Sequence, residues 1–274
     1  MPKGRLYNEV ILLLKDAGFN LSGNSRNYRP TINDPKIEVK ILKSQNIPKL
    51  VELGSQDIAF TGYDWVVEQN ADVQELMDLG FNPVKLVACA KEGFDFKKPN
   101  LRVASEYESL SRSFMQKINP NFIFIKSFGA TEVFIPEDAD IIVDNSSSGA
   151  TLKENDLQVM STVLTSSTRL IANKKSLKDK FKKKKIGEFV LLLKSALEGR
   201  ERVLIEMNVP KEKLKQIIPS LPCMKSPTIS KLYSGGGYAI KIAVKKQEVN
   251  LLIPLLKEKG ATDILVFSLQ KVVL

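Results

Sequence analysis

The 274-residue chain contains no histidine. Histidine general bases, histidine metal ligands and Ser-His-Asp triads are therefore excluded. Its two cysteines, Cys89 and Cys223, lie far apart without metal-ligand spacing, so zinc hydrolysis is disfavoured. Both are expected to be buried as small hydrophobes. No stretch approaches the ~20 apolar residues of a membrane span. The apolar run within MPKGRLYNEVILLLKDAGFN is interrupted by Glu9 and Lys15 and lacks a signal-peptide cleavage pattern. The expectation is a soluble, cytoplasmic chain with no membrane partner.

The composition is that of a globular protein, with 43% hydrophobic and 26% charged residues. The length suffices for two or three domains. Net charge is +10, much of it in NKKSLKDKFKKKKIGE, residues 173–188. No nucleic-acid motif surrounds these lysines. The run reads as a solvated helix face, with a polyanion site as the sharper alternative. A distributed positive field also favours a phosphorylated small substrate.

Leu6, Val10, Leu13, Leu14 and Ala17 share one face of a helix over 5–17, stopped by Gly18. Strands are expected at 28–32 and 37–43, a short helix over 46–54, then the buried strand DIAFTG and a helix from YDWVVEQ. Strand and helix alternate, which predicts an α/β architecture with a largely parallel sheet. Ligands of such sheets sit at the carboxyl ends of strands, which places FTGYD, residues 60–64, on the functional edge. Further strands are read at 84–93, 100–107, 122–129, 140–144 and 168–174. The order implies a first lobe, 1–86 and 166–198, with a second lobe, 87–165, inserted through two crossing strands. Residues 199–274 change character. RVLIEMNV, PKEKLKQIIPSL, PTISKLY, YAIKIAVKK, EVNLLIPLLKEKG and DILVFSLQKVV spell βαββαβ, a ferredoxin-like plan, with a kink expected at Pro254.

The segment DNSSSGATLKEND, 144–156, follows an apolar strand. A helix starting near Thr151 would point free N–H groups and a positive dipole end into the loop. Gly149 admits a close ligand, and Ser146, Ser147, Ser148 and Thr151 add hydroxyls, the makings of a phosphate cradle. Asp144 is acceptor-only when ionised and suits sugar hydroxyls or a Mg²⁺-bound water. A capped helix after a serine-rich turn accounts for the same residues.

DIIVDNSSSGATLKENDL resembles the signature of the ATP phosphoribosyltransferase family. PKGRL, NIPKLVELGSQDIAFTGYDWVVE, GATEVF, SPTISKLY and KGATDILVFSLQK are similar to the long form's segments in the same order. Asn145 stands where that family usually has an apolar residue, and Asn46 where an aspartate is commoner. The resemblance implies two catalytic lobes like periplasmic binding proteins and a ferredoxin-like regulatory domain. It implies transfer of phosphoribosyl from phosphoribosyl pyrophosphate to N1 of ATP, with Mg²⁺ carried by the substrate. Asp144, Ser146, Ser147, Ser148, Gly149, Ala150 and Thr151 would hold the phosphoribosyl group. Lys3 and Arg5 would contact the pyrophosphate or triphosphate and, with Asp144, form the catalytic set. Lys43, Thr61, Gly62 and Tyr63 would meet ATP or the diphosphate, with Tyr63 or Trp65 stacking on the purine. Asn208, Ser226 and Thr228 would bind histidine as feedback inhibitor, and the chain would assemble as a homodimer or hexamer. Two rivals remain at this point. One is a non-catalytic two-lobed small-molecule binding protein, which shares the fold. The other is a nucleic-acid-binding regulator built on the basic run.

Overall fold

The computed structural model describes the whole chain apart from residues 24–26, 97, 147–151, 153 and 234. It divides into two compact units, Met1–Leu12 with Leu21–Gly187, and Leu13–Asn20 with Glu188–Leu274. Helices α1 (Tyr7–Ala17), α2 (Ile47–Glu52), α3 (Tyr63–Glu68) and α4 (Glu108–Met115) precede the basic helix α5. It runs unbroken over Lys180–Glu201, so the change of pattern at 199 is the end of a helix and the second unit starts inside it.

The first unit holds two main sheets. Strands β3 (Ile58–Gly62), β10 (Thr168–Ala172) and β4 (Gln74–Asp78) form a three-stranded antiparallel sheet in the order β3-β10-β4. The chain leaves it after β4, builds a second sheet, and returns after β9 (Gln158–Ser166). That second sheet has the order β7-β6-β8-β5-β9, with β5 at Val84–Ala90, β6 at Leu101–Ser105, β7 at Phe122–Lys126 and β8 at Ile141–Ser146. Only β7-β6-β8 are parallel; β8-β5-β9 are antiparallel. The largely parallel sheet expected from the sequence is therefore corrected to one antiparallel and one mixed sheet, because the two crossing strands enter and leave side by side.

Alternation builds the core on both faces of the second sheet. Leu86, Ala88, Leu101, Val103, Ile141 and Val143 pack with Tyr107 and Met115 on one side. Val87, Cys89, Ala104 and Ile142 pack with Ile135, Ala139 and Leu157 on the other. Burial pushes the Cys89 thiol up to about 12, so it is an inert hydrophobe as expected. Cys223 is only half-buried, a correction.

The stretch 37–43 forms no strand; only a single bridge joins Pro2 to Leu42, and β2 is reduced to Thr31–Ile32, pairing with β1 (Leu21–Ser22). Pro30 and Pro35 remove ladder donors there. Strands β4 and β9 were not legible, since QELMD is charged and β9 exposes most of its residues. The basic run is partly neutralised within its unit: Lys182 pairs with Asp57 at 2.7 Å, Lys185 with Asp34 at 2.5 Å, and Lys174 with Asp72.

The second unit carries β11 (Arg202–Pro210), β12 (Thr228–Lys231), β13 (Gly237–Lys245) and β14 (Thr262–Ser268) in the antiparallel order β12-β13-β11-β14. This is the ferredoxin-like arrangement. The expected helix over PKEKLKQIIPSL shrinks to α6 (Leu214–Ile217) between 3₁₀ turns, since Pro219 cannot continue it. Helix α7 (Val249–Glu258) continues through Pro254. Leu13–Asn20 belong to this unit: Phe19 meets Phe189 at 4.8 Å between ring centroids, and Asp16 pairs with Arg200 at 2.7 Å. Among the described residues, no helix is long and apolar enough to cross a membrane.

Candidate active site

The N-terminal residues are strapped to residues 40–42. The Met1 amine donates to the Lys40 carbonyl at 2.9 Å and the Lys3 amide to Leu42 at 2.7 Å. Gly4, with φ 89°, then turns the chain into α1. This places Lys3 and Arg5 on the wall of a cleft of about 320 Å³. Ser44 lines it beside them, and Gly62, Asp64 and Trp65 enter from the end of β3 and the start of α3. Tyr107, Asn145 and Ser166 come from the ends of β6, β8 and β9, and Asn82 from the crossing segment.

A buried hydrogen-bond chain runs behind this wall. Asp64 is 6% exposed. Its carboxylate accepts from the Tyr107 hydroxyl and the Ser166 hydroxyl, each at 2.7 Å. Ser166 in turn accepts from the Asp64 amide at 3.0 Å. The Asn145 amide donates to the Tyr107 hydroxyl at 3.5 Å and to Asp144 at 3.4 Å. Trp65 stacks on Tyr107, centroids 4.5 Å apart at 25°. Burial, then the Asp64 charge, raises the Tyr107 hydroxyl above its ordinary value.

Asp144 sits on the other face of β8. It pairs with Val87 and Asn145 with Leu86, so their side chains alternate across the sheet. Burial pushes the Asp144 carboxyl up to about 6; the Asn145 N–H, 2.7 Å away, opposes this, and the carboxylates of Glu132 and Glu106 add to it. Such a shifted carboxyl invites hydroxyl donors or positive charge. Among the described residues, no three acidic or cysteine side chains converge as a metal cage.

The sequence-based site is thus assembled in part. Lys3, Arg5 and Gly62 meet in one cleft with Asn145; Asp144 and the half-buried Ser146 lie at the end of the adjoining strand. Ser147, Ser148, Gly149, Ala150 and Thr151 lie outside the described residues. Lys43 is exposed ahead of the 3₁₀ turn Ser44–Asn46 and does not line the cleft. Thr61 is fully buried, its hydroxyl on the Ser44 carbonyl at 3.3 Å, so it supports the wall and presents no donor. The Tyr63 ring lies under the Arg169 guanidinium at 4.9 Å, outside the cleft lining. In the second unit, Ser226 and Thr228 line a groove of about 570 Å³ with Lys225, Met224 and Leu274. Asn208 is not in that lining; its amide is bound to Asp263 at 2.9 Å.

Sequence reasoning placed Asp64 on the functional edge within FTGYD without giving it a role, and missed Tyr107, Asn82 and Ser166. Asp64 had a signal, an acid two residues beyond a strand-ending glycine. Asn82 has φ 46° and a buried side-chain nitrogen with no hydrogen-bond partner among the described residues.

Two sheets bridged by crossing strands and a cleft walled by Lys3, Arg5 and the Trp65–Tyr107 pair define a two-lobed α/β protein, joined to a βαββαβ domain. The family model for HisG, ATP phosphoribosyltransferase, matches residues 43–195, and that for the HisG C-terminal domain matches 199–271. ATP phosphoribosyltransferases of Pelotomaculum thermopropionicum and Thermodesulfovibrio yellowstonii are each 39% identical over the whole of this chain and 98% and 97% of their own. The ATP phosphoribosyl transferase (HisG:HisZ) complex from Thermotoga maritima shares the fold, with a TM-score of 0.64 at 24% identity over 70% of this chain and 94% of that one. The chain belongs to the ATP phosphoribosyltransferase family and is a pentosyl-transferring enzyme.

Proposed function

We propose that the chain transfers the phosphoribosyl group of phosphoribosyl pyrophosphate to N1 of the adenine of ATP, releasing pyrophosphate and opening histidine biosynthesis. The observation that carries this is the meeting of Lys3 and Arg5 with the end of β8, where Asn145 enters their cleft and Asp144 faces away toward Glu132.

Loss of pyrophosphate leaves positive charge on the ribosyl carbon and negative charge on the departing oxygens. Lys3 and Arg5 hold those oxygens and stabilise the leaving charge. Asp144 accepts hydrogen bonds from the ribose hydroxyls, and the segment after Ser146 receives the 5-phosphate. Trp65 offers the purine an aromatic face. No histidine base is needed. Mg²⁺ would arrive on the diphosphate and be held by its oxygens, since among the described residues no cluster of carboxylates would hold it; bound there, it would neutralise charge on the leaving group.

The second unit is read as regulatory. Histidine binds at the groove of Ser226 and Thr228 and inhibits through an equilibrium between states that it biases. Asn208, held by Asp263, lies off that groove and contributes only if the pair opens. The enzyme works as a homodimer or hexamer, without nucleic acid or membrane. The test is pyrophosphate release on mixing the protein with ATP, phosphoribosyl pyrophosphate and Mg²⁺, with and without histidine. Turnover slowed by histidine is expected. Tight binding of both substrates without turnover would instead favour a binding protein.

A further inference from the structure

The segment that opens α4 is gripped from the three-stranded sheet's side of the first unit. Glu68, ending α3, accepts from the amides of Ser109 and Leu110, each at 3.0 Å. Gln45 donates to Glu106 at 2.9 Å. These two ties lie outside the cleft lining. The third tie, Asp64 to Tyr107, lies on it.

Asp64 is unlike the others. It is an almost fully buried carboxylate with two hydroxyl donors and, among the described residues, no ion pair. Such burial is costly, and a neutral side chain would tie the same elements at lower cost. The chain also gives up a side chain at Gly62 to make room for it. An ionised carboxylate gives each hydroxyl its own acceptor, Oδ2 for Tyr107 and Oδ1 for Ser166, where an amide would put an N–H₂ donor in one of the two places. The Tyr107 proton is thereby committed to Asp64, which leaves the phenol oxygen free to accept from Asn145. The Asn145 amide also reaches Asp144. One chain of bonds thus runs from the cleft, through the strand end, to the carboxylate proposed to hold the ribose.

We propose that Asp64 is a positioning residue for phosphoribosyl transfer: it sets the direction of the Tyr107 hydroxyl, which orients Asn145 against Asp144. This rests on the reading of Asp144 as the ribose carboxylate. In Asp64→Asn one of the two hydroxyls faces an N–H₂ donor in place of an acceptor oxygen, and the fixed direction of the Tyr107 hydroxyl is lost. The variant stays folded and loses kcat by ~10-fold or more, with KM for both substrates within ~3-fold, since alignment and not binding is disturbed. Tyr107→Phe shows the same split, and the double variant is no worse than the single ones. Glu68→Gln, which loosens the same two elements outside the cleft, lowers Tm and leaves kcat unchanged. A binding-independent readout is the side-chain amide resonance of Asn145, assigned by its loss in Asn145→Asp. It shifts in Asp64→Asn as it does in Tyr107→Phe. An unmoved resonance, unchanged kcat in folded Asp64→Asn, additive losses in the double variant, or an equal kcat loss in Glu68→Gln would each overturn the proposal. Absence of turnover in the wild-type protein would overturn the transfer reading instead, and the resonance would still decide the geometry.

Discussion

Gly62 lacks a side chain because Asp64 fills the space where one would be. Its backbone is ordinary extended chain, φ −73° and ψ 143°, so any residue fits its torsions. A Cβ there would collide with the Asp64 carboxylate. Gly62→Ala is therefore expected to cost about 1–3 kcal/mol, the range of overpacking, and to lower kcat along with it by displacing Asp64. Denaturant unfolding and steady-state kinetics on the same preparation check this; wild-type stability would mean that Asp64 moves freely.

Asp144 is held in an unfavourable charge state. Its folded value of about 6 exceeds the ordinary 3.8, so the native protein binds the proton more tightly than the unfolded chain does. Stability then falls as pH rises through that window, and the charge costs about 1–3 kcal/mol at neutral pH. Asp144→Asn is expected to raise Tm at pH 7.5, with the gain vanishing below about pH 4, while transfer activity collapses. A Tm series against pH for both proteins reads the sign directly.

Arg5 offers its charge to the cleft from an exposed position and can be removed without opening the core. Losing one charge-assisted contact to a phosphate is worth about 1.5–3 kcal/mol. Arg5→Ala should lower kcat/KM by roughly 10- to 100-fold with an unchanged Tm. Equal kinetics would place the anionic oxygens elsewhere.

Asp140 shows the opposite electrostatics. Burial alone would raise it, but Lys98 at 2.8 Å and the backbone and guanidinium of Arg102 outweigh that and bring it to about 2. Its contribution is present above pH 3.8 and lost as pH falls toward 2. Asp140→Asn should destabilise by about 1–3 kcal/mol at pH 7 and leave KM for both substrates untouched, as it secures the start of β8 and not its functional end. Unfolding midpoints at neutral and acid pH check it.

Thr228 is exposed at the lip of the second unit's groove. Thr228→Ala should leave turnover without histidine unchanged and weaken inhibition by about 2- to 10-fold, the worth of one hydroxyl contact. Full sensitivity in the folded variant would move the effector site.

The strands and last helix of the C-terminal domain were readable because periodicity and punctuation mark them, while the helix over PKEKLKQIIPSL was read too long. The nine residues of β11 alternate half-buried and buried without a break, and its four strands close into a sheet with one buried face. The basic N-terminus was legible too, since cations just ahead of a helix are a local signal, and Lys3 and Arg5 line one cleft. What failed was pairing. Charged QELMD gave no sign that it borders β10, and prolines hid the fact that residues 40–42 hold the N-terminus and not a sheet.

The sequence by itself determined the alternation of elements, the absence of histidine chemistry and the presence of Lys3, Arg5 and Asp144 at ends of elements. Only the tertiary structure decided which of these meet. Asp64, Tyr107, Asn145 and Ser166 are separated by up to 102 residues along the chain, yet bond in one line. The crossing of two strands between two sheets brings them together, and burial there converts ordinary polar residues into a single connected network.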